Sequence, residues 1–121
     1  MRVLVAGGRN YTDREAIYSL LDALHNQTTI STIINGGCTG ADALAASWGR
    51  SRLVHVETYF ADWTNHGRAA GPIRNRRMIQ EGKPDMAILF PGGHGTLDMA
   101  RQLRSNNVPT QVVQEPETKI L

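Results

Sequence analysis

The sequence predicts an α/β fold, a single Rossmann-like three-layer domain built on a parallel sheet. Three observations predict it. Short apolar runs rich in β-branched residues recur along the chain, each run ends at a glycine-rich or polar turn, and stretches of helical periodicity separate the runs. At 121 residues the chain fits one domain that buries roughly two-thirds of the surface its unfolded form exposes, so it needs no disulfide or metal to fold.

The first run, Arg2–Ala6 (RVLVA), stops at Gly7 and Gly8 and has the pattern of a buried parallel strand. Ala16, Ile17, Leu20, Leu21 and Leu24 then fall on one helical face, with Thr12 or Asp13 as the cap. Thr32–Asn35 (TIIN) is the second strand, Gly36 and Gly37 its turn, and Ala41–Ser51 an alanine-rich helix. A third strand is expected over 53–57 (LVHVE). After a long polar connection, 73–81 reads as a helix closed by Gly82 and Pro84. A strand over 86–90 (MAILF), a helix over about 96–105 and a last strand near 111–113 complete the alternation. The expected strand order is 3-2-1-4-5, which puts the ligand crevice between strands one and four. One domain is expected over 1–115, with a loose tail over 116–121.

Composition narrows the function classes. The proportions, 40% hydrophobic and 20% charged, are those of a soluble globular protein. No apolar run approaches a membrane span, and MRVLVAGG reaches glycine too early for a signal peptide, so a cytoplasmic location is expected. Cys38 is the single cysteine, which excludes an internal disulfide, gives no cysteine pair to suggest a structural zinc site and leaves a small packed residue beside a glycine turn. Eleven of the thirteen cationic side chains are arginine, a bias compatible with a phosphate or carboxylate ligand and equally with salt bridges.

Three segments, GGRNYTD, GGCTGAD and PGGHGTLD, each follow a strand and lead into a helix, so all three share the carboxyl edge of the sheet. Glycine there lets backbone amides approach a ligand, and a helix start favours an anion. The plain alternative is that glycine merely makes tight strand-to-helix turns; three doubled-glycine loops weigh against it. The expected ligand- or phosphate-binding residues are Gly7, Gly8 and Arg9 in the first loop, Gly36, Gly37, Gly40 and Asp42 in the second, and Pro91, Gly92, Gly93, Gly95 and Thr96 in the third. GxxxxGK[ST] is absent and GGRNYTD is not GxGxxG, which argues against an ATPase or an NAD dehydrogenase. No HExxH or other metal spacing is present, and no metal or cofactor is expected.

PGGHGT after an apolar strand, joined to GGCTGAD and GPIRNRRM, resembles the SLOG superfamily of Rossmann-like nucleotide-binding proteins, which includes the LOG phosphoribohydrolases and the DNA-processing protein DprA. The nearest likeness is to its YspA-like branch of small stand-alone domains. The resemblance runs from Arg2 to about Val113. It implies that Gly93, Gly95 and Thr96 hold a phosphate at a helix start and that Arg74 matches the arginine of the LOG enzymes. It also implies two departures. Asn75, a ligand-binding candidate beside Arg74, stands where LOG enzymes carry lysine, and Met99 stands where they carry the catalytic glutamate of PGGxGTxxE.

N-glycoside hydrolysis develops an oxocarbenium-like charge that a carboxylate stabilises, so Met99 puts the LOG reaction in doubt. Asp42 and Asp98 are the substitute carboxylates, with Arg74 beside them as the catalytic candidates. Each aspartate has a plainer role as negative charge in a first helical turn. Arg74 and Arg77, three residues apart on one helical face, are expected to grip an anion together, and Arg76 to point elsewhere. Arg77 on a solvated face is the plainer reading. Trp63 is a candidate for stacking on a base, although a buried anchoring tryptophan is commoner. His66 and His94 can carry protons near neutral pH, but a solvated histidine is the plainer reading of each.

These residues support three functions. The first is a sensor or sequestering module for a nucleotide or nucleotide-derived ligand. The second is an N-glycosidase or phosphoribohydrolase freeing base and ribose phosphate from a nucleotide. The third is DNA binding of the DprA type, which a net charge of +2 makes unlikely. No membrane partner is expected, and the resemblance implies a homodimer or higher homo-oligomer.

Overall fold

A computed structural model of the chain describes residues 1–115. The expected tail over 116–121 lies outside the described residues. Five parallel strands, β1 (Arg2–Ala6), β2 (Thr32–Asn35), β3 (His55–Thr58), β4 (Met86–Leu89) and β5 (Thr110–Val112), stand in the order β3-β2-β1-β4-β5. The helices are α1 (Arg14–Gln27), α2 (Ala41–Ser51), α3 (Trp63–His66), α4 (Ala70–Gln80) and α5 (His94–Ser105), with a 3₁₀ turn at Gly67–Ala69. None is long and apolar enough to cross a membrane.

Alternation along the strands sorts the core into two layers. Val3 and Val5 face one side of the sheet and pack with Ile17 and Leu21 of α1 and Ala45 and Trp48 of α2. Leu4 faces the other side with Ile34, joining Met78 and Ile79 of α4 and Met99 and Leu103 of α5. The strands buried on both faces read as continuous apolar runs for this reason. Asp13 caps α1, its Oδ1 accepting from the Ala16 amide at 3.0 Å. The crossovers leave β1 in opposite directions, so the loops after β1 and β4 part at the centre of the sheet.

Two expectations need correction. The third strand begins at His55, not at residue 53. Leu53 has φ 57° and is 96% exposed, because it ends α2 instead of starting β3. The Leu53 amide donates to the Arg50 carbonyl at 3.3 Å and the Val54 amide to that of Gly49 at 2.8 Å, the pair of bonds that defines a Schellman stop. The long connection before α4 is also not open loop. Asp62 caps α3 by accepting from the Asn65 amide at 3.1 Å, and the 3₁₀ turn carries the chain directly into Ala70. Helix α4 therefore begins three residues earlier than 73, and Pro72 is accommodated in its first turn, where a proline removes no intrahelical bond.

Candidate functional site

A hollow of about 560 Å³ opens at the carboxyl edge of β1, β2 and β4. Its walls come from all three glycine loops, from α3 and from the starts of α4 and α5. Among the expected residues, Gly7, Gly8, Arg9, Gly36, Asp42, Arg74, Asn75, Gly93, Gly95, Thr96 and Asp98 line it. The rest do not. Pro91 and Gly92 line a second hollow on the far side of the Gly8 and Gly93 loops. Gly37 abuts Phe60, and Gly40 is pressed against Gly8 and Arg9.

Close packing of the loops explains most of these glycines. A Cβ on Gly7 would lie 2.7 Å from that of Ala41, and Gly40 combines φ 76° with a Cβ site 2.2 Å from the Gly8 carbonyl oxygen. The same packing consumes backbone amides that the glycine loops were expected to offer a ligand. The Gly8 amide donates to the Pro91 carbonyl at 2.8 Å and the Ala41 amide to that of Gly8 at 3.2 Å. The Gly37 amide donates to Asn35 Oδ1 at 2.8 Å, and that of Cys38 to Asp42 Oδ2 at 3.2 Å.

The third loop differs. His94, Gly95 and Thr96 are the first residues of α5, so helix geometry gives their amides no intrahelical partner, and no side chain caps them. The helical ladder begins only at Leu97, whose amide donates to Gly93 at 3.0 Å. A Cβ at Gly93 or Gly95 would meet nothing within 4 Å. A helix start with free amides and open space is the kind of geometry that favours negative charge.

Arg74 is 8% exposed and ties the corner together. Its Nη1 donates to the Gly36 carbonyl at 2.6 Å and lies 3.6 Å from Cys38 Sγ, while its Nε donates to Asn75 Oδ1 at 3.1 Å. Asn75 Nδ2 donates in turn to the Gly95 carbonyl at 3.3 Å and to Asp98 Oδ2 at 3.0 Å. Gln102 Nε2 reaches the same Asp98 oxygen at 2.8 Å and the Pro72 carbonyl at 3.0 Å. A chain of polar contacts thus joins the second glycine loop, α4 and the start of α5.

The two aspartates have different work. Asp98 holds Asn75 and Gln102 in place. Asp42 is 5% exposed and flanks Gly36 opposite Arg74. Burial pushes its carboxyl up to about 6, against the opposing pull of the Cys38 amide and of the Arg74 charge. Met99 is buried in the core beneath the hollow, with Met78. No charge stands at that position.

Arg77 does not join Arg74. Its guanidinium pairs with Glu81 at 2.9 Å and lies 5.5 Å from the Tyr59 ring centre, away from the hollow. The partners four residues on and across the helix outweigh the shared face. Two arginines that spacing alone did not mark take its place, Arg68 in the 3₁₀ turn and Arg101 in α5. A usable signal for Arg101 existed: helical side chains lean toward the N-terminus, and Arg101 lies three residues after Asp98, which it approaches at 3.9 Å. Trp63, His94 and Cys38 also line the hollow. Four arginines therefore face two aspartates, and the hollow is a net cationic site.

A sequence model of the family described as YspA, cpYpsA-related SLOG matches residues 1–66. Gene 61 protein of Mycobacterium phage D29 is similar too, 34% identical over 116 residues, in an alignment covering 89% of this chain and 92% of that protein. The chain belongs to the YspA, cpYpsA-related SLOG family. The match to the SLOG family model spans β1 to α3 and so includes the first two glycine loops. The uncapped α5 start and Arg74 lie beyond it.

Proposed function

We propose that the protein binds a nucleotide or nucleotide-derived phosphate ligand in the 560 Å³ hollow, as a sensor or sequestering module. The observation that carries this reading is the open start of α5, three amides without a partner among the described residues and two side-chain-free positions facing a cavity lined by four arginines. Fixed amide donors and a helix dipole suit a phosphate group, and the arginines supply bidentate donors to its oxygens. Membership of the SLOG family supports a nucleotide-related ligand in general.

Titration calorimetry with the four ribonucleoside monophosphates and ADP-ribose tests it. At least one should bind, more weakly as salt rises; absence of heat from the whole panel would sink the reading. Gly95→Val adds a side chain where a Cβ meets open space, so the fold should tolerate it while the phosphate seat is filled. We expect the affinity of whichever nucleotide binds to fall at least tenfold, with the thermal midpoint little changed.

Asp42 favours a second reading, cleavage of an N-glycosidic bond. A buried carboxyl in the hollow with a pKa near 6 is poised to carry a proton or to face a developing positive sugar. Asp98 is less suited, since Oδ2 already accepts from two side-chain amides. Chromatography of the same nucleotide mixtures separates the readings: free base together with ribose phosphate would mark hydrolysis, and binding without them would mark a sensor.

A further inference from the structure

Five large apolar side chains are exposed among the described residues, Leu53, Phe60, Trp63, Leu97 and Val112. Of these only Trp63 lines the anion-binding hollow, and it remains 49% exposed there. Its position is fixed from below. Asp62 caps α3 through two contacts to Asn65, and the indole edge lies over Gly71 at the start of α4, where even a Cβ would stand in ordinary contact with it at 3.5 Å. Over the ring lies an exposed cation. The Arg9 guanidinium sits 5.3 Å from the ring centre, on an exposed side chain whose backbone is held by Thr39 Oγ1 at 3.0 Å.

Resting on the reading of the hollow as a nucleotide site, we propose that Trp63 is the platform on which the base of the ligand stacks, and that Arg9 is its placeholder. In the free protein Arg9 covers the indole. When a base arrives it takes the ring face, and the released guanidinium turns to the phosphate held at α5. A flat aromatic surface is what a nucleobase needs, since every base offers a π-face, and an arginine is easily exchanged for it because it gains a phosphate oxygen in return. The spacing favours exchange over a sandwich, because 5.3 Å between guanidinium and ring leaves no room for a base between them.

The test compares AMP with ribose 5-phosphate, which has the phosphate and sugar but no base, on the wild-type protein and on Trp63→Ala and Trp63→Phe. The wild type should bind AMP the more tightly. Trp63→Ala should weaken AMP about tenfold or more and leave ribose 5-phosphate within about twofold, while Trp63→Phe should recover most of the loss. Fluorescence gives an independent readout, because the other tryptophan, Trp48, is fully buried and bonded to Asp22 at 2.9 Å. AMP should quench the wild-type emission and leave that of Trp63→Phe unchanged. Equal affinity for AMP and ribose 5-phosphate, or equal losses of both in Trp63→Ala, would overturn the stacking while leaving the phosphate site standing. Failure of every nucleotide in the calorimetric panel would instead remove the site and the stacking together.

Discussion

Replacing Arg74 with methionine should destabilise the domain by about 3–5 kcal/mol at pH 8 and by clearly less at pH 5. Methionine fills much of the same volume, so the loss is one of charge and hydrogen bonds. The guanidinium is buried, and without it the Gly36 carbonyl and Asn75 Oδ1 lose their donors. Asp42 then stands ionised in the wall with no cation beside it, a state that costs most where the carboxyl cannot take up a proton. Urea unfolding at the two pH values checks the claim. Adding Asp42→Asn to Arg74→Met should recover part of the loss at pH 8 and little at pH 5. The single variant should also weaken nucleotide binding by about ten- to a hundredfold, the usual worth of a charge-assisted hydrogen bond.

Asp42→Asn alone should change how stability depends on pH. The native fold raises this carboxyl from its ordinary 3.8 to about 6, so the folded protein holds the proton more tightly than the unfolded chain does. Wild-type stability, measured against Asp42→Asn, should therefore be greatest below pH 4, fall as pH rises through 4 to 6, and level off above. The full change is about 3 kcal/mol. Denaturant midpoints of both proteins between pH 3.5 and 8 give the curve; a flat difference would mean that folding leaves the Asp42 carboxyl at its ordinary value. At pH 8, where the phosphate of AMP is fully charged, removing a carboxylate from the hollow should tighten AMP binding on the order of tenfold.

Much of the fold could be read from the chain because pattern and packing agree. TIIN is apolar and β-branched on both faces and is bounded by glycine, and β2 lies where that run does. The run of alanines after Gly40 suits a helix pressed against the sheet, and α2 keeps the expected limits. Leu53 misled for a physical reason: an apolar residue before VHVE reads as strand, while its backbone obeys the hydrogen bonds that close α2. The segment 61–69 is polar and contains Gly67, which hides two short helical turns held by one aspartate cap.

The site was legible by residue type more than by role. Glycine motifs mark where loops crowd together, but only coordinates reveal which amides the crowding uses up. Gly8 and Gly37 spend theirs on Pro91 and Asn35, whereas the start of α5 keeps its own. Arg77 illustrates a second limit. Helical spacing places side chains on a face without saying which partner on that face wins, and Glu81 and Tyr59 hold it outside.

One helix start, and not all three loops, should receive the anion. Amide chemical shifts recorded while AMP is titrated into nitrogen-15-labelled protein test it most directly. The largest movements should fall on His94, Gly95 and Thr96, with Gly8, Gly37 and Cys38 moving far less because their amides already have acceptors. Movements centred on Gly37 and Cys38, with the first turn of α5 still, would contradict it.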